Sequence, residues 1–222
     1  QEVEHAQNIF KQLWQRLGIS ADWDHTYSTI APETRSISQE SFIRLYEKGY
    51  VYRTKELALF CTVCQTSVAQ AELEDKESIT LFNTIIFKDE HNNDLLIATT
   101  RPELLSSCVA LLYNPTDERC THLQGQKVTV PLFGYTVPVL ADEKVLVDKG
   151  TGLVMVCTFG DTLDGEWCKK FNLPYHQSIS LDGKMSARAG VLQGLFVKQA
   201  RSKIIELLKE QGLLVAQKEL VH

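Results

Sequence analysis

The chain has 222 residues, 44% hydrophobic and 23% charged, ordinary globular values that exclude a disordered or fibrous protein. Its 23 lysines and arginines against 28 aspartates and glutamates give a net charge of −5, which disfavours a free-standing nucleic-acid binder held by a basic surface. Apolar stretches such as Leu153 to Cys157 fall far short of the ~20 residues that span a bilayer, and no secretory signal is visible.

The six cysteines, at 61, 64, 108, 120, 157 and 168, sit in a chain large enough to build its own core. A disulfide framework is not implied, and a reducing, cytoplasmic setting is expected. The sequence lacks an initiator methionine and opens in mid-helix at Gln1, so a piece of something longer is expected.

In chain order, Val3, Ala6, Phe10, Leu13 and Leu17 recur at threes and fours and predict a helix that Gly18 ends. An aromatic and polar stretch from Gly18 to Tyr27 has no helical period. A second helix is expected from Ser38, with Ile37 and Phe42 as a hydrophobic staple, through Leu45 and Tyr46 to Gly49. Tyr50 to Arg53 reads as β-like and leads into Cys61-Thr-Val-Cys64. The texture changes after about Glu77. Ile79–Phe87 and Leu95–Thr99 flank a turn-prone Lys88–Asp94 and predict a hairpin. Val128–Val130, Tyr135–Val139, Val145–Val147 and Leu153–Cys157 read as further short strands. Asp161 and Asp164 stand at N-cap and N3 spacing before Leu163, Trp167 and Phe171. Val197, Ala200, Ile204, Leu207 and Leu208 form a last helical face ended by Gly212. The fold class is therefore α/β: a small helical segment at 1–76 and a β-rich domain at 77–222.

Three constellations carry chemistry. Cys61 and Cys64 offer two thiolates at knuckle spacing, whereas a closed structural zinc site needs four ligands. Two readings stand: two unligated thiols on a turn, or a half-site completed from outside this chain. Ala98-Thr-Thr-Arg-Pro-Glu103 lies where a strand passes into a helix, and Pro102 suits a first helical turn. Its free backbone N–H groups, the Thr99 and Thr100 hydroxyls and the Arg101 guanidinium make either a helix cap or a donor-rich corner for an oxyanion. Asp161 caps its helix, and Asp164 is either a second capping carboxylate or one that faces a pocket and holds a substrate ammonium.

In this order, Ala98-Thr-Thr-Arg-Pro-Glu103, Ala141-Asp-Glu143, Gly150-Thr-Gly152 and Asp161-x-x-Asp164 resemble the editing domain inserted in valyl-, isoleucyl- and leucyl-tRNA synthetases. Gly18–Trp23, Leu45–Gly49, Tyr52-Arg53 and Cys61-x-x-Cys64 through Glu72 are similar to the segment preceding that insertion. Ser20–Trp23 and Thr158–Asp164 look most like the valyl branch. There are departures. Leu104 replaces a common threonine, and Met155 stands where many bacterial valyl sequences carry lysine. Lys184-Met-Ser-Ala-Arg188 is similar to the KMSKS signature, but the second lysine and any H-I-G-H element are missing, so we read it as coincidence.

The resemblance implies a barrel-like core of short strands with surrounding helices, and hydrolysis of the ester of mischarged Thr-tRNA(Val). The reason is physical: a valine pocket rejects the near-isosteric threonine only about 10²-fold, a figure established for valyl-tRNA synthetases rather than obtained from this chain. It implies that Asp164 pairs with the α-ammonium, that Thr99 and Thr100 position water or the carbonyl oxygen, and that Arg101, Asp161 and Glu103 bind substrate. Threonine hydroxyls are poor bases near neutrality, so catalysis would rest on orientation and electrostatics. The implied partners are the tRNA acceptor end and the rest of the synthetase chain, with no membrane. Editing would need no cofactor or metal; zinc at Cys61 and Cys64 would belong to the full-length protein, and ATP to a catalytic domain outside this chain. Editing of valine by an isoleucyl enzyme, or acceptor-end binding without chemistry, are the alternatives.

Overall fold

The computed structural model describes residues 2–54, 57–74 and 76–221; Gln1, where the sequence opens, lies outside them. The chain divides into two compact units, Gln1–Lys55 and Glu56–His222.

The first unit holds helices α1 (Glu2–Arg16) and α2 (Pro32–Glu47), neither with a buried residue. Trp14 of α1 stacks on Trp23 with ring centroids 6.3 Å apart, so the aromatic stretch after Gly18 folds back along its helix. The second helix begins at Pro32, six residues before the expected Ser38. Proline fits the first helical turn, where its missing N–H has no intrahelical partner to lose. The Ser38 hydroxyl donates to the Thr34 carbonyl at 2.9 Å, a bond made inside a helix rather than at its cap. Tyr50 to Arg53 form no strand: the Tyr50 N–H closes the end of α2 on the Leu45 carbonyl at 3.0 Å.

The second unit starts with a knuckle of two short paired strands, β1 (Phe60–Cys61) and β2 (Thr66–Ser67). The expected hairpin follows as β3 (Ile79–Asp89) and β4 (Asp94–Thr99), antiparallel with Thr84 opposite Ala98. The remaining strands are β5 (Cys108–Tyr113), β6 (Lys127–Thr129), β7 (Thr136–Ala141), β8 (Leu153–Cys157) and, after helices α3 (Thr162–Lys170) and α4 (Val197–Glu210), β9 (Leu214–Val221). They form one sheet in the order β4-β3-β6-β7-β5-β8, with β9 added to β3. Every pairing is antiparallel except β5 with β7. The end strands β4 and β8 approach each other, so the sheet is a nearly closed barrel.

β5 was not expected. All six of its residues are buried. Leu111 and Tyr113 face the barrel interior with Ile85, Ile97 and Val139, while Ala110 and Leu112 face Val156, Trp167 and Cys168 outside it. A strand covered on both faces shows no alternation. β9 was likewise unexpected. Val145–Val147 is a turn rather than a strand: Asp142 accepts the Lys144 N–H at 2.9 Å, and Val145 drops into the outer cluster. Along β8, Leu153, Met155 and Cys157 face the interior and Val154 and Val156 the outer layer. α4 closes the interior with Ala200, Ile204 and Leu208.

Candidate active site

A cavity of about 240 Å³ opens at the seam between the two end strands, and the C-terminal ends of both β4 and β8 line it. Thr99, Thr100 and Arg101 form one wall; Cys157, Gly160, Asp161 and Asp164 form the other. Two segments separated by some sixty positions in sequence thus meet at one cavity.

Each wall is set by local chemistry. The Thr99 hydroxyl accepts the Arg101 N–H at 3.1 Å, a turn that stops β4 and aims Arg101 across the seam. Pro102 then opens a 3₁₀ turn, Pro102–Ser107, with every residue buried. On the facing wall Asp161 is an extended N-cap residue whose carboxylate accepts the Asp164 N–H at 2.9 Å. The capping expectation for Asp161 therefore holds. The walls are joined by Arg101, whose Nη1 donates to the Gly160 carbonyl at 2.7 Å. Gly150, at φ +65°, lets the Gly-Thr-Gly turn lie against β4; a Cβ there would sit 3.0 Å from Ala98 and Phe82.

Asp164 is 6% exposed. Burial, and then the neighbouring Asp161 charge, push its carboxyl up to about 7; backbone hydrogen bonds at Cys157 and Asp161 and the Arg101 charge pull the other way. Such a group is poised to become fully ionised when a cation arrives beside it. Gly160 packs directly on it: a Cβ there would overlap Asp164 Oδ2 and come within 3.1 Å of the Cys157 carbonyl. We expect Gly160→Ala to push the Asp164 carboxylate off the wall toward solvent and bring its titration down toward the ordinary carboxylate range. Carbon-13 NMR titration of the aspartate carboxyls beside thermal melting checks this, and an unmoved Asp164 midpoint would mean that the wall relaxes freely.

Glu103, expected among the substrate-binding residues, is placed elsewhere. Its carboxylate is fully buried and takes two hydrogen bonds from Arg201 of α4, at 2.9 and 2.8 Å, and a longer one from Arg101 Nε at 3.4 Å. It does not line the cavity. Leu104 and Met155 line it as apolar groups, together with Phe82 and Trp167. Lys144 and Lys149 also reach the cavity, the former paired with Glu166. These two lysines were missed: they lie in the turn that replaces the expected strand at 145–147.

Cys61 and Cys64 sit on the β1–β2 knuckle, with the Cys64 N–H directed at Cys61 Sγ at 3.4 Å. Backbone N–H groups of Cys64 and Val63 lower the Cys61 thiol, and Cys61 in turn raises that of Cys64. Among the described residues no group of three or more His, Cys, Asp or Glu side chains could hold a metal ion, so the knuckle offers two ligands. No described helix is long and apolar enough to cross a membrane.

Comparison with known proteins places these features in a family. The family described as tRNA synthetases class I (I, L, M and V) matches residues 1–214. A valine–tRNA ligase of Rickettsia typhi is 48% identical over 221 residues, 99% of this chain and 27% of that protein. One from Wolbachia pipientis wMel is 52% identical over 184 residues, 83% of this chain and 21% of that protein. Among solved structures, LeuRS in a ternary LeuRS–tRNA–LeuAMS complex from Agrobacterium radiobacter K84 is similar at a TM-score of 0.52 and 19% identity, covering 98% of this chain and 36% of that one. That likeness concerns the fold. The chain spans 27% of the first of these relatives, about a quarter of its length.

Proposed function

The chain belongs to the class I tRNA synthetases (I, L, M and V), and on that premise we propose that it is the editing part of a valyl-tRNA synthetase, hydrolysing the ester of Thr-tRNA(Val). The observation that carries this reading is the shared cavity: the buried carboxylate of Asp164 opposite the Thr99–Thr100–Arg101 corner. A cavity of about 240 Å³ has room for an aminoacyl group at the end of a terminal nucleoside.

In this reading the α-ammonium of the misattached residue pairs with Asp164. The cation draws the carboxyl, which lies at about 7 in the free site, to its ionised form. Thr99 has accepted the Arg101 N–H, so its own O–H remains a donor toward the ester carbonyl or the attacking water. Thr100 shares that wall. Lys144 and Lys149 at the rim, with Arg101, suit the phosphate and ribose of the acceptor end. Rate would come from orientation and from donors aimed at the developing oxyanion, with no cofactor required.

The partners in this proposal are the acceptor end of tRNA and the remainder of the synthetase, in the cytoplasm. We further propose residues 1–76 as a segment of the synthetase body and 77–222 as the editing domain proper. Cys61 and Cys64 would supply two thiolates to a zinc ion whose other ligands lie outside residues 1–222, serving structure rather than hydrolysis.

A deacylation panel tests the reading. Thr-tRNA(Val) should be hydrolysed roughly ten- to a hundredfold faster than Val-tRNA(Val), the rate equivalent of ~1–3 kcal/mol for a polar group left unpaired against valine's methyl. Faster cleavage of Val-tRNA(Ile) would move the assignment to the isoleucyl branch. Retention of the acceptor end without any cleavage would reduce the domain to a binding module.

A further inference from the structure

Glu103 and Arg201 lie outside the cavity, yet they are joined to it through a single side chain. Glu103 is 0% exposed, and a carboxylate so buried must be fully partnered. Arg201, reaching from α4, supplies a bidentate pair at 2.9 and 2.8 Å. Arg101 Nε stands farther off, at 3.4 Å from the same Oε1 that Arg201 Nη2 occupies. The Arg101 guanidinium is therefore left to spend its strongest bond, at 2.7 Å, on the Gly160 carbonyl at the head of the Asp161–Asp164 turn.

We propose that Arg201 is a positioning residue for the editing site: by satisfying Glu103 it keeps Arg101 on Gly160 and so holds the two cavity walls in register. Without Arg201, Glu103 would have one cation within reach among the described residues. That cation is Arg101, and drawing it into a bidentate pair would release Gly160 and remove a positive charge from beside Asp164. Three features follow from this arrangement. The effect of Arg201 depends on the charge of Glu103; it reaches Asp164 as a change in titration; and it acts on the setting of the walls rather than on their composition. A residue that only packed α4 against the barrel would do none of these.

The test uses the whole chain and three variants, Arg201→Met, Glu103→Gln and the double variant. The proposal rests on the editing reading for its activity arm. Arg201→Met should lower deacylation of Thr-tRNA(Val) about tenfold, the scale expected from a small misplacement of reacting groups. The double variant, in which nothing pulls on Arg101, should recover most of that loss even where its melting temperature is no higher than that of Arg201→Met. The second arm needs no tRNA. Carbon-13 NMR titration of the aspartate carboxyls should show the Asp164 midpoint higher in Arg201→Met than in the unaltered chain, and returned toward it in the double variant. An unmoved Asp164 midpoint in a folded Arg201→Met chain overturns the proposal, as does a double variant no more active than the single one. If the unaltered chain releases nothing from any mischarged tRNA, the editing reading fails and the titration arm alone decides the role of Arg201.

Discussion

On the proposed editing reading, Asp164→Ala should leave a folded chain that does not release threonine from mischarged tRNA(Val). Among the described residues the carboxylate is the one acidic group of the cavity that is buried, at 6% exposed, and a buried acid opposite a row of donors is placed for a cation. Losing a charge-assisted hydrogen bond to an ammonium removes ~1.5–3 kcal/mol, which alone is roughly ten- to a hundredfold in rate. The ester would also lose its orientation against Thr99 and Thr100, and misplacement multiplies the loss. The fold should survive, because Asp161 still caps α3 through its bond to the backbone N–H of residue 164. Deacylation assayed beside circular dichroism checks both halves. A folded Asp164→Ala chain with near-normal deacylation would remove Asp164 from the mechanism and with it the main support for the editing reading.

The sequence made the site more legible than the sheet around it. Asp161 and Asp164 were recognisable because helix capping has a fixed spacing, and the strand exit at Thr99 because Pro102 marks a helical first turn. The meeting of these segments could not be read from either one. It depends on β4 and β8 being the two ends of a nearly closed sheet, a property of strand order that local pattern does not encode. β5 escaped because burial on both faces erases the two-residue period. Glu103 illustrates a different limit. Its place in the Thr-Thr-Arg-Pro-Glu run suggested the cavity, but the partner that claims it, Arg201, is nearly a hundred residues away on a helix whose apolar face alone was readable. A charged residue on the polar side of a predicted helix carries no sign of whether it meets solvent or a buried carboxylate.

The raised Asp164 carboxyl has a consequence for stability that needs no substrate. Its folded value, about 7, lies above the ordinary 3.8, so between those values the native state holds a proton that the unfolded chain has lost. Stability from this group is therefore fully present below pH 3.8 and is lost as pH rises through about 7. The full difference corresponds to about 4 kcal/mol at pH 8 and above. Asp164→Asn keeps the shape of the protonated acid and abolishes the titration. We expect Asp164→Asn to be more stable than the unaltered chain at pH 8 by a few kcal/mol, with the gap narrowing at pH 5 and closing only near pH 3.8. Urea unfolding across that range measures it. Carboxylates away from the cavity, such as Asp142 paired with Lys170 at 2.7 Å, cancel in the comparison. An Asp164→Asn chain that gains nothing at pH 8 would show that the carboxylate is solvated or paired in the native state rather than held ready for an ammonium. A gain in stability together with a loss of deacylation would mark Asp164 as a residue kept for binding at the expense of the fold, as a carboxyl that must ionise in a buried site has to be.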